Sequence, residues 1–269
     1  MNDSSQSATA LSSDLPMVPD LSLPTPDLSV VVPVKNEADN ILPLVEEIHA
    51  ALEGFIDFEV VYVDDGSDDE TPARLRDAKA RFPRLRVVRH AASCGQSQAV
   101  ASGVRLARGV WIATLDGDGQ NDPADIPAMI RRRDQEAAAS ASDAALVMIA
   151  GHRQKRQDNG LRRLSSKVAN AVRSAMLKDS TPDSGCGLKL FARQTFLDFP
   201  RFDHMHRFLP ALMIRAGGRV VSVRVNHRPR ERGVSKYGLW NRLWVGIVDL
   251  FGVAWLQARA RRPVIEQHD

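Results

Sequence analysis

The chain has 269 residues, of which 43% are hydrophobic and 26% are charged, so it can form one large or two small domains with a real core. This composition excludes an intrinsically disordered chain, which would contain too few apolar residues to fold. Its two cysteines, Cys94 and Cys186, form no CxxC pair. They argue against a disulfide framework and a zinc site, and they fit a reducing compartment such as the cytoplasm.

The net charge of +3 conceals two halves of opposite sign. Residues 1–150 contain 13 Lys and Arg against 24 Asp and Glu, a net charge of −11, whereas residues 151–269 contain 23 against 9, a net charge of +14. Such a basic half predicts an anionic partner, for example phosphates, nucleic acid or an acidic membrane surface. A generally basic, solvated face would give the same count.

Residues 1–27 are rich in Ser, Pro and Asp and predict a disordered tail rather than a secretory signal. From residue 28 to residue 115, apolar strand patterns alternate with helical patterns. We predict strands at residues 28–34, 58–63, 86–90 and 110–115, and helices that start near Asn40, Pro72 and Ser97. This alternation predicts an α/β fold with a parallel sheet, whose ligand lies outside the carboxyl ends of the strands.

Polar side chains follow three of these strands. Glu37 comes after the first strand, Asp65 after the second, and Asp116, Asp118 and Gln120 after the fourth. Because Mg²⁺ and Mn²⁺ take oxygen ligands and commonly keep phosphate oxygens as further partners, the last three residues predict a metal–diphosphate site. A solvated Asp- and Gly-rich turn is the alternative for each segment alone, but three at one sheet edge would repel one another without a cation or another ligand.

Other nucleotide-binding folds are disfavoured. The chain contains no GxxxxGK[ST] sequence, and no GxGxxG sequence follows the first strand. The segments instead resemble the successive signatures of family 2 glycosyltransferases: VVPVKNE at residues 31–37, VDDGS at 63–67, GQS at 95–97 and DxDxQ at 116–120. The DxDxQ form is similar to the polyprenyl-phosphate glycosyltransferases, the dolichol-phosphate mannose synthase-like group.

This resemblance implies a GT-A domain over residues 28–237, with a Rossmann-like, mostly parallel central sheet flanked by helices. It also implies the donor side of the site. The residues expected to line the nucleoside pocket are Pro33, Lys35, Glu37, Asp65 and Gly95, with Asp65 toward the base or ribose. Asp116 would contact the ribose or sugar, and Asp118 with Gln120 would bind Mg²⁺ or Mn²⁺ on the diphosphate of a GDP- or UDP-sugar.

The same resemblance places an acceptor phosphate in the basic half. Arg153 follows a predicted strand at residues 146–150, and Arg162 and Ser166 lie four residues apart, as on one helix face. These three residues would bind the phosphate of a lipid acceptor. Arg163 with Lys167 has the same spacing and remains an alternative, as does a merely solvated basic face.

Two further segments complete the implied site. Asp183 would lie near the reacting sugar, although an Asx turn or a helix cap would explain an aspartate there equally well. Arg230, Ser235 and Lys236 match a mobile phosphate-binding loop that would close over the phosphates and exclude water. The residues expected to act in catalysis are Asp116, Asp118, Asp183 and Arg230. His204 and His206 raise the idea of metal ligation, but we interpret them as a structural pair at a helix start.

Residues 238–269 predict an amphipathic helix with a basic tail. Its apolar face holds Trp240, Leu243, Trp244, Ile247, Val248, Phe251 and Trp255. Arg242 and Asp249 interrupt the apolar run, so we predict a helix that lies in the membrane interface rather than one that spans the bilayer. A core helix or a dimer contact is the alternative.

The sequence therefore predicts a metal-dependent, inverting transferase that moves a hexose from a nucleotide sugar to a polyprenyl phosphate. It would act on the cytoplasmic face of the inner membrane, attached peripherally and without nucleic acid, and a homo-oligomer or a membrane-protein partner stays open. Two alternatives remain. One is a family 2 enzyme with a hydroxyl acceptor on a glycan or glycolipid, and the other is a non-catalytic anion- or membrane-binding protein.

Overall fold

A computed structural model describes residues 24–139, 144–153, 173–229 and 239–261. Most of the predicted N-terminal tail lies outside the described residues. The predicted phosphate-binding residues Arg162, Ser166, Arg230, Ser235 and Lys236 also lie outside them. The fold and the site are therefore built from the remaining positions.

Seven strands of the described chain form one sheet. They are β1 (Leu28–Val34), β2 (Phe58–Asp64), β3 (Leu85–Arg89), β4 (Trp111–Thr114), β5 (Val147–Arg153), β6 (Lys189–Ala192) and β7 (Arg219–Val225). Their order across the sheet is β3-β2-β1-β4-β6-β5-β7. Strands β1 to β4 are parallel and β5 is parallel to β7, whereas β6 runs antiparallel to β4 and β5. The mostly parallel sheet is thus confirmed.

Helices cover both faces of the sheet. The α-helices with both ends defined in the described chain are α1 (Ala38–Leu52), α2 (Thr71–Arg81), α3 (Gln96–Leu106), α4 (Ile126–Ala139), α5 (Arg193–Leu197), α6 (Leu209–Arg215) and α7 (Leu239–Ala258). Alternate residues of β1 serve the two faces: Val30 and Val32 pack with α1, α2 and α4, whereas Val31 packs with α3, α5 and α6. This two-residue period explains why β1 reads as a continuous apolar run, since both of its faces are buried.

A buried carboxylate ties the amino-terminal edge of the sheet together. Glu59 is 2% exposed and accepts hydrogen bonds from Ser29 Oγ at 2.7 Å, from the Arg108 backbone N at 2.6 Å and from Arg86 at 3.1 Å. Burial acts to raise the pKa of Glu59, but the bonds from Arg108 and Ser29 outweigh it and hold the pKa below its usual value. This network lies at the opposite edge of the sheet from the predicted site.

Helix α7 packs on α6 through one face. Val253 is buried against Phe208 and Ala211, and the Gln257 side chain donates hydrogen bonds of 3.0 Å to the carbonyls of Leu177 and Ala211. The other face is solvent-exposed at Ile247, Val248, Phe251 and Trp255. Within the described residues, no helix combines the length and the apolar character that a bilayer span requires.

Candidate active site

A cavity of about 760 Å³ opens at the carboxyl ends of β1, β2 and β4. Since these strands are parallel, the residues that follow each of them meet at one edge of the sheet. Every residue predicted for the donor side lines this cavity: Pro33, Lys35, Glu37, Asp65, Gly95, Asp116, Asp118 and Gln120. Their predicted roles toward a nucleotide and a metal remain proposals.

Asp65 holds the loop between β3 and α3. One carboxylate oxygen lies 2.7 Å from His90 Nδ1 and accepts the Cys94 N–H at 2.8 Å, and the other accepts Ser93 Oγ at 2.7 Å and the Gly95 N–H at 2.9 Å. Burial acts to raise the pKa of Asp65, but these bonds outweigh it and hold the pKa below its usual value. Asp65 is thus a fixed anion on the cavity wall, and it shapes the loop that carries Gly95.

Asp65, His90 and Cys94 also place possible ligand atoms within 4.8 Å of one another. Each Asp65 oxygen already accepts two of the contacts above, so a cation there would have to displace existing bonds.

The DxDxQ segment forms a tight turn after β4. The Gln120 N–H donates to Asp118 Oδ1 at 3.1 Å, and Gly119 between them has a φ of 73°, a left-handed conformation that favours glycine. The Gln120 carbonyl accepts the Arg228 N–H at 3.0 Å, which fixes the turn to the segment after β7. The turn therefore presents Asp118 and Gln120 from a rigid backbone.

Asp116 is the most crowded carboxylate of the cavity. It accepts a hydrogen bond from Gln96 Nε2 at 2.9 Å, and a methyl group placed on Gly187 would lie 2.2 Å from its Oδ2. Burial and the charge of Asp118 raise the pKa of Asp116, although Lys189 and Arg153 oppose this effect. A carboxylate whose charge is disfavoured by a neighbouring carboxylate fits a hard divalent cation, because such a cation would offset the repulsion.

The structure brings Arg153 and Asp183 together beside this cavity. Arg153 Nε donates to Asp183 Oδ2 at 2.7 Å and its terminal nitrogen donates to Oδ1 at 2.8 Å, a bidentate pair between side chains that are 14% and 8% exposed. The Asp183 bond, against the cost of burial, raises the pKa of Arg153. The sequence predicted these residues for the site but not their pairing, which spans 30 positions.

The sequence interpretation missed three cationic or polar residues of the cavity wall. Lys189, His206 and Arg207 all line the cavity. The sequence did contain a signal for Lys189, because this charged residue begins the otherwise apolar strand β6. Its side chain is buried, with 3% exposure. We interpreted His206 as structural, and its Nδ1 does lie 2.7 Å from Ser97 Oγ, but the residue also lines the cavity. Burial, and then the charges of Arg207 and Lys189, lower the pKa of His206 to about 3.

The comparison with protein families decides the class of the molecule. The sequence model described as Glycosyl transferase family 2 matches residues 29–198. The chain belongs to glycosyltransferase family 2. Family membership and the names of the relatives identify this glycosyltransferase as an enzyme, and the non-catalytic alternative is wrong.

The names of two curated relatives describe enzymes that act on polyprenyl phosphates. A dodecaprenyl-phosphate galacturonate synthase from Rhizobium johnstonii is 36% identical over 88% of this chain and 69% of its own length. An undecaprenyl-phosphate 4-deoxy-4-formamido-L-arabinose transferase from Edwardsiella ictaluri is 33% identical over 79% of this chain and 63% of its own length. The chain thus spans about two thirds of the length of these relatives. The resemblance to the polyprenyl-phosphate group is confirmed.

Solved structures confirm the GT-A fold of the glycosyltransferase. Glucosyl-3-phosphoglycerate synthase from Mycobacterium tuberculosis, in complex with Mn²⁺ and UDP, superimposes with a TM-score of 0.62 over 88% of this chain and 81% of that chain, at 14% identity. A mannosyltransferase from Pyrobaculum calidifontis, in complex with GDP-mannose and Mn²⁺, gives a TM-score of 0.58 over 89% and 66%, at 20% identity. At such identities the likeness concerns the fold alone.

Proposed function

We propose that this glycosyltransferase moves a sugar, with inversion, from a GDP- or UDP-linked donor to a polyprenyl phosphate. A phosphate oxygen of the acceptor attacks the anomeric carbon, and the bond from that carbon to the nucleoside diphosphate breaks as the new bond forms. The names of the curated relatives support this acceptor class. The two relatives are named for different sugars, so their similarity to this chain does not determine which sugar its donor carries.

The Arg153–Asp183 pair is the observation that carries the choice of acceptor. A hydroxyl acceptor must lose its proton to a base, and Asp183 is the acceptor-side carboxylate that would have to serve in that step. A carboxylate held by two charge-assisted bonds from a buried guanidinium is a poor base, because protonation would break both bonds. A phosphate acceptor is already anionic near neutral pH and needs no strong base. The pairing therefore favours the phosphate acceptor over a hydroxyl acceptor.

The roles that we propose on the donor side rest on the residues that line the cavity. Asp118 and Gln120 would hold Mg²⁺ or Mn²⁺, which when bound neutralises the charge that develops on the departing diphosphate. Asp116, which accepts a hydrogen bond from Gln96 and lies against Gly187, would contact the ribose or the sugar. Asp65 fixes the loop that carries Gly95, and we assign it to the wall of the nucleoside pocket, where its negative charge would face the base or the ribose. Of the residues that would bind the acceptor phosphate, Arg153 is described, and the roles of Arg162, Ser166, Arg230, Ser235 and Lys236 stay predictions.

The exposed face of α7 supports attachment to a membrane surface. Val248, Phe251 and Trp255 are 57%, 63% and 60% exposed, and Arg259 and Arg261 follow them at the end of the helix. An apolar stripe beside basic residues binds the interface of an anionic bilayer. We place the enzyme on the cytoplasmic side of the inner membrane. A second copy of the chain or a membrane-protein partner could also bind the exposed side of α7.

A transfer assay tests the proposal. The purified chain is incubated with Mg²⁺ or Mn²⁺, undecaprenyl phosphate and a panel of nucleotide sugars, and the lipid product is identified by mass. We expect one glycosyl-phosphate lipid, no product after chelation with EDTA, and loss of turnover in Asp118→Ala. Asp134→Ala removes an exposed carboxylate on α4 and serves as the control. Full turnover of Asp118→Ala would contradict the metal assignment, and transfer only to hydroxyl acceptors would contradict the acceptor.

A flotation assay tests the membrane surface. Vesicles that contain phosphatidylglycerol should carry the wild-type chain upward in a density gradient, and Val248→Asp should weaken this association because it places a charge on the stripe. Val110→Asp is a matched control, since Val110 is also 57% exposed but precedes β4, at the opposite edge of the sheet from the cavity. Equal flotation of the two variants would contradict a membrane role for α7.

A further inference from the structure

Arg228 contacts the DxDxQ turn from outside the main cavity. A second cavity, of about 300 Å³, is lined by Asp118 and Gly119 of the turn together with Arg228. Among the described residues that line the main cavity, where the donor and the metal are proposed to bind, Arg228 does not occur. It is therefore placed to support the turn rather than to touch the donor.

The backbone that follows β7 runs alongside the turn. The Arg228 N–H donates to the Gln120 carbonyl at 3.0 Å, and Asn121 forms an antiparallel bridge with His227. These backbone contacts persist whichever side chain other than proline stands at position 228. Substitutions at this position thus report on the side chain alone.

The Arg228 side chain joins the turn to another element. One terminal nitrogen donates to Glu47 Oε2 at 2.7 Å, and the other lies 2.8 Å from Oδ1 of Asp122, two residues after Gln120. Glu47 belongs to α1, whose apolar face is packed into the core. A guanidinium can bind two carboxylates at once in a fixed geometry, which the single ammonium of a lysine does less well. Arg228 thus fastens the end of the turn to a helix of the core.

The turn needs such support because its centre has little packing of its own. Gly119 lies between the two proposed ligands and has a φ of 73°. In the described chain, a methyl group placed on it would meet only Asn40 Oδ1, at 3.8 Å. A glycine loses more conformational freedom than any other residue when it is fixed. Contacts made at the end of the turn must therefore supply part of the order that Asp118 and Gln120 require.

We propose that Arg228 is a positioning residue that sets the metal affinity of the DxDxQ turn, because it holds Asp118 and Gln120 in the arrangement that a divalent cation requires. Its side chain is 37% exposed, so its ion pairs should add little to global stability. Ligands that are already ordered, however, bind a cation without the cost of ordering them. This inference rests on the proposed function, because it concerns the metal assigned to the same turn.

Binding of Mn²⁺ tests the inference without catalysis. The full chain is titrated with Mn²⁺ in the presence of UDP or GDP, and free Mn²⁺ is measured by electron paramagnetic resonance against a blank of nucleotide alone. Loss of a group that holds a metal ligand in place typically weakens metal binding about 10- to 100-fold. We expect Arg228→Met to raise the Kd for Mn²⁺ by about tenfold, the lower end of that range because the ion pairs are partly exposed. Arg228→Lys should raise it less, since a lysine can retain one ion pair.

Arg81→Met is the matched control for these variants. Arg81 at the end of α2 also forms an ion pair with α1, at 3.0 Å from Glu46, the residue before Glu47. Its replacement should leave the Kd for Mn²⁺ unchanged. Urea unfolding should show small, similar decreases in the midpoint for Arg81→Met and Arg228→Met. Equal weakening of Mn²⁺ binding in the two variants would overturn the inference, because the effect would then follow from loss of any ion pair on α1.

The transfer assay separates positioning from damage to the fold. In Arg228→Met the Mn²⁺ concentration for half-maximal rate should rise about tenfold, whereas kcat at saturating Mn²⁺ should stay within about twofold of wild type. Glu47→Gln, which removes one of the two ion pairs, should cause a smaller rise. A loss of kcat that saturating Mn²⁺ does not restore would assign the effect to folding or to the chemical step, and it would overturn the inference.

Asp118→Ala distinguishes failure of the inference from failure of the proposed function. If Asp118→Ala weakens Mn²⁺ binding but Arg228→Met binds Mn²⁺ as tightly as wild type, the inference is overturned and the metal assignment stands. If Asp118→Ala leaves Mn²⁺ binding unchanged, the metal assignment fails and the inference fails with it. If Arg228→Met weakens Mn²⁺ binding as expected but no lipid product forms, the inference stands and the acceptor assignment fails.

Discussion

Replacement of Asp183 by asparagine tests whether this residue positions Arg153 or acts as a base. The substitution removes the charge but keeps the shape and one carbonyl oxygen. Loss of one partner from a fully buried ion pair costs about 3–5 kcal/mol, because the other charge is left uncompensated. Here the two side chains are 14% and 8% exposed and asparagine can still accept one bond, so we expect about 2–3 kcal/mol. In a chain of this size that lowers Tm by roughly 5–10 °C.

The measurement is a double-mutant cycle. Urea unfolding of the wild type, Asp183→Asn, Arg153→Met and the double variant gives the coupling free energy of the pair, which we expect to be about 2 kcal/mol. The kinetic expectation is separate. Because Arg153 would lose its orientation toward the acceptor phosphate, KM for undecaprenyl phosphate should rise about tenfold, and binding of the nucleotide sugar should not change.

One result would refute this reasoning. If Asp183→Asn abolished turnover while stability and nucleotide-sugar binding were retained, Asp183 would act in the chemical step. Absence of transfer to polyprenyl phosphate together with such a loss would favour the hydroxyl acceptor. A coupling free energy near zero would equally show that the pair contributes nothing to the orientation of Arg153.

Three further changes probe other parts of the structure. Gly187→Ala places a methyl group 2.2 Å from Asp116 Oδ2, so kcat should fall at least about tenfold. The control Gly252→Ala places its methyl group where no atom lies within 4 Å. It should leave kcat unchanged and stabilise α7 by about 0.5–1 kcal/mol in urea unfolding. His206 takes up a proton near pH 6.5 in the unfolded chain but only near about pH 3 in the folded chain, so the free energy of unfolding should fall by about 2 kcal/mol from pH 7 to pH 5. His206→Asn should remove this decrease in the free energy of unfolding. Glu59→Gln should cost about 1.5–3 kcal/mol at pH 7; since the folded pKa of Glu59 is depressed, the difference from wild type should shrink as pH falls below about 4.5, as urea unfolding at several pH values would show.

The sequence predicts the donor side well because its signals are local. Each of β1, β2 and β4 is an apolar run that leads directly to polar residues, and parallel strands bring their carboxyl ends to one edge without any detailed knowledge of packing. Glu37, Asp65 and Asp118 therefore meet at the cavity as predicted. The exact ends of elements are predicted less closely: β4 spans Trp111–Thr114, against a predicted strand at residues 110–115.

The acceptor side is harder to predict because it depends on contacts between distant residues. A basic run does not indicate which arginine forms an ion pair within the protein, and Arg153 pairs with Asp183 across 30 positions. The role of His206 depends on Ser97, which is 109 positions away. No periodic pattern encodes such pairs, since they follow from the packing of whole elements.

The direction of β6 explains how the two sides meet. In an antiparallel pair, the residues before one strand lie beside the residues after its neighbour. The turn before β6 is therefore brought to the end of β4, where the Gly187 carbonyl accepts a 2.7 Å hydrogen bond from Thr114 Oγ1 and its Cα faces Asp116. A parallel β6 would have placed this turn, with Asp183 and Lys189, at the opposite edge of the sheet. Among the seven described strands, this reversed one thus brings cations from the basic half of the chain to the acidic edge formed by the other half.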